Sequence, residues 1–146
     1  VCAVKEASGS LDQACEILRH RPAGFSVLSG EDSLALPMIA CGADGVIAVV
    51  SNEAPDLLVA LVEAALTGER DEAARLQARL FPLMRANFRE SNPIPVKWAL
   101  HRLGLIADVL RLPLVPLSKG QHKAMEDALR EAGLIDEAGN PVGEAP

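Results

Sequence analysis

Between Val1 and Val50, apolar positions come in short runs separated by amphipathic stretches. Residues 1–5 read as a strand that delivers Lys5 into a turn of small residues, and LDQACEILRH reads as a helix with Leu11, Cys15 and Leu18 at helical spacing. Ser10 stands where an N-cap belongs. FSVLS reads as a second strand, and EDSLALPMIACGADG as a second helix, with Asp32 or Ser33 capping its start and Gly42 near its end. Pro37 falls early enough to bend the first turn without stopping it. GVIAVV is a third, almost wholly apolar strand, the pattern of a strand buried on both faces. Three strands with two intervening helices make two successive βαβ units, hence a parallel sheet.

The pattern then becomes helical throughout. PDLLVALVEAALTG carries Pro55 near a first helical position and Gly68 at the end, the places each residue favours. ERDEAARLQARLFPLMRANF is a longer amphipathic segment kinked or broken at Pro82. In SNPIPVKWAL, Pro93 and Pro95 push Asn92 and Ile94 toward extended backbone, so a helix is expected from about Val96 to Arg102. A last helix is expected from about Lys119 to Ala132, and the final stretch reads as a frayed end. The chain thus divides into a sheet-bearing part (1–54), a helical part (55–135) and a tail (136–146).

Composition narrows the setting. The 146 residues, 49% hydrophobic, are enough for one ordinary domain. The net charge of −6, with 14 basic and 20 acidic side chains interspersed, leaves no basic stripe for nucleic acid. The apolar run at 57–62 stops at Glu63 and is too short for a bilayer. Three cysteines with no CxxC spacing read as free thiols in a reducing cytosol, and no basic segment precedes the opening run as a signal peptide would require. His20, His101 and His122 are scattered, which argues against a metal site. The expectation is a soluble, cytoplasmic protein with no membrane or nucleic-acid partner.

One strand carries candidate chemistry. Side chains alternate, so Val1, Ala3 and Lys5 share a face opposite Cys2, Val4 and Glu6. The strand at 1–5 has no upstream partner for its free edge, so the expected architecture is the C-terminal part of a (β/α)₈ barrel followed by extra helices. If the first face lines that barrel, Lys5 stands at the C-terminal mouth, where barrel enzymes place their active sites. Apolar walls disfavour an ammonium ion and expose the neutral amine as a nucleophile for a carbonyl carbon. The plainer alternative is a strand-end lysine reaching water. Glu6 points away from Lys5 and reads as a structural ion pair or cap rather than a general base; Glu31 and Asp32 read as caps at a helix start. Lys97 and Trp98 read as packing residues of the appended helices.

VKEASGSL at 4–11 resembles the Schiff-base segment of the pyruvate-dependent class I aldolase family. LSGEDSLALPMIACGADGVIAVVSN at 28–52 agrees with it in order and spacing, while NPIPVKWAL at 92–100 and LRLPLVPLS at 110–118 are similar to its synthase branch. The resemblance covers residues 1 to about 135. It implies that Lys5 forms an imine with the ketone of pyruvate, that the main chain of Ile47 borders the bound pyruvate, and that Gly30 leaves space beside the second substrate. By themselves Gly30 is equally a turn glycine and Ile47 equally barrel filling. The implied reaction needs no cofactor: the imine acidifies the methyl group, and the enamine attacks an aldehyde, aspartate β-semialdehyde in the synthase branch, on the route to diaminopimelate and lysine. The family relays protons largely through a tyrosine; this chain has none, so it is expected to be inactive alone. The resemblance also implies a homotetrameric parent, with Leu11, Asp12 and Cys15 as candidate contacts. The alternatives are a relative cleaving N-acetylneuraminate or a 2-keto-3-deoxy sugar acid, and a noncatalytic fragment that associates with a complementary half-barrel.

Overall fold

The computed structural model describes residues 1–142. Three strands, β1 (Ala3–Glu6), β2 (Ser26–Ser29) and β3 (Gly45–Val46), form a parallel sheet in the order β1-β2-β3. Helix α1 (Leu11–His20) joins the first pair and α2 (Ala35–Ala40) the second. The Ser10 hydroxyl accepts from Gln13 N at 3.2 Å, so the expected N-cap is in place.

Alternation along β1 divides its side chains as the sequence requires. Val4 joins a small cluster with Ala14, Val27, Met38 and Ala43 beneath α1 and α2, and Glu6 is buried on that side. Ala3 and Lys5 take the other face, in register with Ser26 and Leu28.

The second half is helical: α3 (Pro55–Thr67), α4 (Arg70–Ala86), α5 (Ile94–Arg102) and α6 (Lys119–Ala132). A larger core gathers Leu58, Leu61, Leu76, Leu80, Leu83, Met125 and Leu129 between them, and the half-buried Val46 and Ala48 tie it to the third strand. Gly68 closes α3 with φ 82°, in the left-handed region where glycine is least strained. Pro82 lies inside α4 without ending it. Trp98 is buried among these helices with its ring 4.9 Å from that of His122 on α6, and Lys97 Nζ donates to Val109 O. Both residues therefore join helices and loops, as expected.

Four expectations are corrected. The third strand does not run through GVIAVV, because the chain turns into a 3₁₀ helix at Val50–Asn52. The second helix does not start at its acidic residues: a 3₁₀ turn at Asp32–Leu34 precedes α2, and neither Glu31 nor Leu34 caps by its side chain. Ile94 is helical rather than extended, since Pro95 occupies the first turn of α5, where the missing N–H costs nothing. Instead of fraying, residues 135–142 fold back, with Ile135 bridging Pro141 and Val142 N donating to Leu134 O at 2.9 Å. The end of the tail, residues 143–146, lies outside the described residues. Among the described residues, no helix is long and apolar enough to cross a membrane.

Candidate functional site at the strand ends

The carboxyl ends of the three strands are stitched together by the main chain. Gly30 N donates to Glu6 O at 2.6 Å, and Ile47 N donates to Ser29 O at 2.8 Å. Parallel pairing therefore extends one step past each strand and sets Lys5, Gly30 and Ile47 at the same end of the sheet. Lys5 and Gly30 meet directly. A Cβ built on Gly30 would stand 2.6 Å from Ala7 Cβ, 2.8 Å from Lys5 Cε and 2.9 Å from Lys5 Cγ, distances no real side chain tolerates. Glycine is required at position 30 because the lysine stem occupies the space, not because of an unusual backbone angle. Ile47 lies two strand spacings from Lys5, about 10 Å at the ordinary inter-strand distance. It is 47% exposed and shares the face of Gly45, Leu28 and Lys5 by alternation.

Lys5 itself is exposed. The apolar enclosure expected around its amine is not built by the described residues: they supply the floor, Gly30 and Ala7, while the packed clusters lie under α1 and α2 and among α3 to α6.

Sequence reasoning misassigned Asp32. Asp32 is fully buried, and its carboxylate accepts from Val49 N at 2.9 Å and Val50 N at 2.7 Å. It caps the 3₁₀ helix that follows β3 instead of its own turn, fastening the loop after Gly30 to the loop after Ile47. Burial pushes its carboxyl above the ordinary value. The two backbone donors and the positive charge of Lys5 oppose that rise, and Glu31 adds to it. No local signal in EDSLAL announces a partner seventeen residues away.

Glu6 is the structural group expected, though through hydrogen bonds: its Oε1 accepts from Ser8 N at 2.8 Å and from Gln13 Nε2 at 3.1 Å, bracing the turn after Lys5 against α1. A second buried acid, Glu53, escaped notice in the sequence. Its Oε2 accepts from Asn87 Nδ2 at 2.7 Å, while Glu53 Oε1 and Asn87 Oδ1 are buried without a partner. Burial pushes Glu53 up to about 8, with Asp32 adding to the rise and Asn87 opposing it. Among the described residues, no three His, Cys, Asp or Glu side chains gather as a metal would require.

A parallel sheet flanked by helices, with a lysine and an abutting glycine at the carboxyl ends of neighbouring strands, is the arrangement of a βα-barrel segment. Residues 1–132 match the Dihydrodipicolinate synthetase family, and the chain belongs to that family. It is 50% identical over 135 residues to the 4-hydroxy-tetrahydrodipicolinate synthase of Chlorobium limicola, covering 92% of this chain and 46% of that protein. The corresponding protein of Moorella thermoacetica is 50% identical over 133 residues, 91% of this chain and 46% of its own length. Among solved structures, the dihydrodipicolinate synthase of Aquifex aeolicus superposes with a TM-score of 0.87 at 40% identity, covering 92% of this chain and 46% of that one. The enzyme of Acinetobacter baumannii, crystallised as a complex with pyruvate, gives 0.88 at 36% identity over the same shares. The chain spans about half the length of the curated relatives it matches. Its three parallel strands and helices are part of a (β/α)₈ barrel.

Proposed function

We propose that this chain supplies the imine-forming lysine of a 4-hydroxy-tetrahydrodipicolinate synthase, with pyruvate as the first substrate and aspartate β-semialdehyde as the second. The observation that carries the reading is the placement of Lys5: a flexible amine at the carboxyl end of a barrel strand, its stem seated in the space that a glycine leaves open. Family membership supports it, as does the pyruvate bound by the Acinetobacter baumannii relative.

In this reading the Lys5 nitrogen attacks the ketone carbon of pyruvate. Loss of water gives the iminium, whose positive charge draws a proton off the adjacent methyl. The enamine carbon bonds to the aldehyde carbon of the second substrate, the aldehyde oxygen takes up a proton, and water adds to the iminium carbon, so that hydrolysis restores the ketone and frees the Lys5 amine. Ile47 borders the pyruvate through its main chain, and Gly30, having no side chain, leaves the space that the lysine stem enters beside the second substrate. Buried Asp32 fastens the loop after Gly30 to the loop after Ile47 and so holds the two in place beside Lys5. No tyrosine is present to relay protons, so the relay comes from outside these residues and the chain alone is inactive. The working protein is a cytoplasmic homotetramer, with the exposed Asp12 and Cys15 of α1 at one contact.

Borohydride reduction of the full natural protein in the presence of pyruvate tests the assignment. The expected result is one reduced pyruvyl adduct on the peptide containing Lys5. An unmodified Lys5 beside a labelled lysine elsewhere would overturn it.

A further inference from the structure

Helix α4 holds both loops that leave the strand ends. Midway along it, Gln77 Nε2 donates to Ser33 O at 3.0 Å, in the 3₁₀ turn that follows Gly30. That carbonyl takes its donor from afar: in a helix its partner would be the N–H of residue 37, which is proline and has none. At the end of α4, the C-cap Asn87 donates from Nδ2 to Glu53 Oε2 at 2.7 Å, and Glu53 is the C-cap of the 3₁₀ helix that follows Ile47.

With the Asp32 carboxylate held by Val49 N and Val50 N, these bonds close a circuit. It runs from α4 through Gln77 to Ser33, along the chain to Asp32, across to the loop after Ile47, on to Glu53 and back through Asn87 to α4. The helix rises about 15 Å from Gln77 to Asn87 and forms the rigid side. Gly30, beside the Lys5 stem, and Ile47 lie where the two loops leave the sheet. We propose that Gln77 is a positioning residue of the imine-forming reaction: by holding Ser33 O it fixes the Gly30 loop against the Ile47 loop, and so sets where the Lys5 amine meets pyruvate. The proposal rests on the chemistry assigned to Lys5 and adds a residue that acts on it through the main chain.

Packing alone would bring α4 against the 3₁₀ turn, but a hydrogen bond fixes distance and direction where apolar contact does not. The other half of the Gln77 amide shows what the bond is for. Gln77 Oε1 is buried without a partner, so the side chain gives up one polar group to deliver the other to Ser33 O. Removing the amide leaves Ser33 O without this donor and at the same time removes the unpaired Oε1, so the two effects on stability oppose each other. Nothing offsets the loss of position: a displacement of about 1 Å slows a positioned reaction by roughly tenfold to a hundredfold. Gln77→Met, of similar length and with no donor, therefore separates position from stability.

The full natural protein, wild type and Gln77→Met, is mixed with pyruvate over a range of concentrations and quenched with borohydride at intervals, with thermal melting of both. The limiting rate of adduct formation on Lys5 is expected to fall about tenfold in the variant, while the half-saturating pyruvate concentration changes less than about twofold and melting changes little. Should Gln77→Met not fold, Gln77→Asn, which keeps the amide but falls a methylene short of Ser33 O, is read in the same way. A folded variant with the wild-type limiting rate, or one altered only in its half-saturating pyruvate concentration, would overturn the proposal. Absence of any adduct on Lys5 in the wild type would instead overturn the imine assignment, and this inference with it.

Discussion

The stem of Lys5 lies across Gly30 so closely that a methyl group on the glycine would come within 2.8 Å of Lys5 Cε. The two residues belong to neighbouring strand ends and act as one steric unit, the glycine setting the path by which the amine leaves the sheet.

Gly30→Ala is therefore expected to displace the lysine. Ala7 Cβ, at 2.6 Å from the new methyl, blocks relief in the other direction. Overpacking of this kind costs about 1–3 kcal/mol of stability. A shift of about 1 Å in the amine slows a positioned reaction by roughly tenfold to a hundredfold. Borohydride trapping rates with pyruvate, compared with thermal melting of the same variant, check both effects. Wild-type trapping in a stably folded variant would show that the amine does not depend on this path.

Asp32→Asn keeps the size of the buried side chain but leaves it with one acceptor oxygen for two backbone donors. Either Val49 N or Val50 N then faces an amide NH₂ in place of an acceptor. The expected loss is about 1–3 kcal/mol, the usual cost of an unsatisfied buried group. Urea unfolding measures it, as a lower midpoint at unchanged slope. Trapping at Lys5 should slow as well, because the loop after Ile47 loses its anchor.

Glu53 gives the protein a pH dependence of definite sign. Its carboxyl is pushed up to about 8 in the folded chain against 4.5 ordinarily, so the folded state holds a proton the unfolded state has released. The contribution is fully present below about pH 4.5 and is lost as pH rises to about 8. Protonation gives Glu53 a donor in a buried pair where Glu53 Oε1 and Asn87 Oδ1 otherwise lack partners, while its Oε2 still accepts from Asn87 Nδ2. Glu53→Gln carries a donor and an acceptor without a titrating proton. Melting temperatures across pH 5 to 9 should fall for the wild type and stay nearly flat for the variant through this window. Parallel profiles would remove Glu53 from the account.

Much of the helical framework was readable residue by residue. Ser10 capping α1, Pro55 and Gly68 bounding α3, and the span of α6 all follow from local chemistry, which acts over a few residues and needs no knowledge of the rest of the chain. Period-2 alternation also places Lys5 and Glu6 on opposite faces from the sequence alone. The same local logic failed at VV in GVIAVV, where apolar character means strand unless something distant captures the amides, and a carboxylate seventeen residues upstream does.

The chain's own order of residues thus determined its parallel sheet, most of its helices, the face of Lys5 and, by resemblance, its family. Only the tertiary structure decided that Gly30 is needed for the space Lys5 fills, that Asp32 caps another element and that Glu53 seeks Asn87. The reason is physical. Propensity, capping and alternation are set by atoms a few bonds apart, whereas steric exclusion and desolvation depend on groups that meet only after strands pair and helices pack.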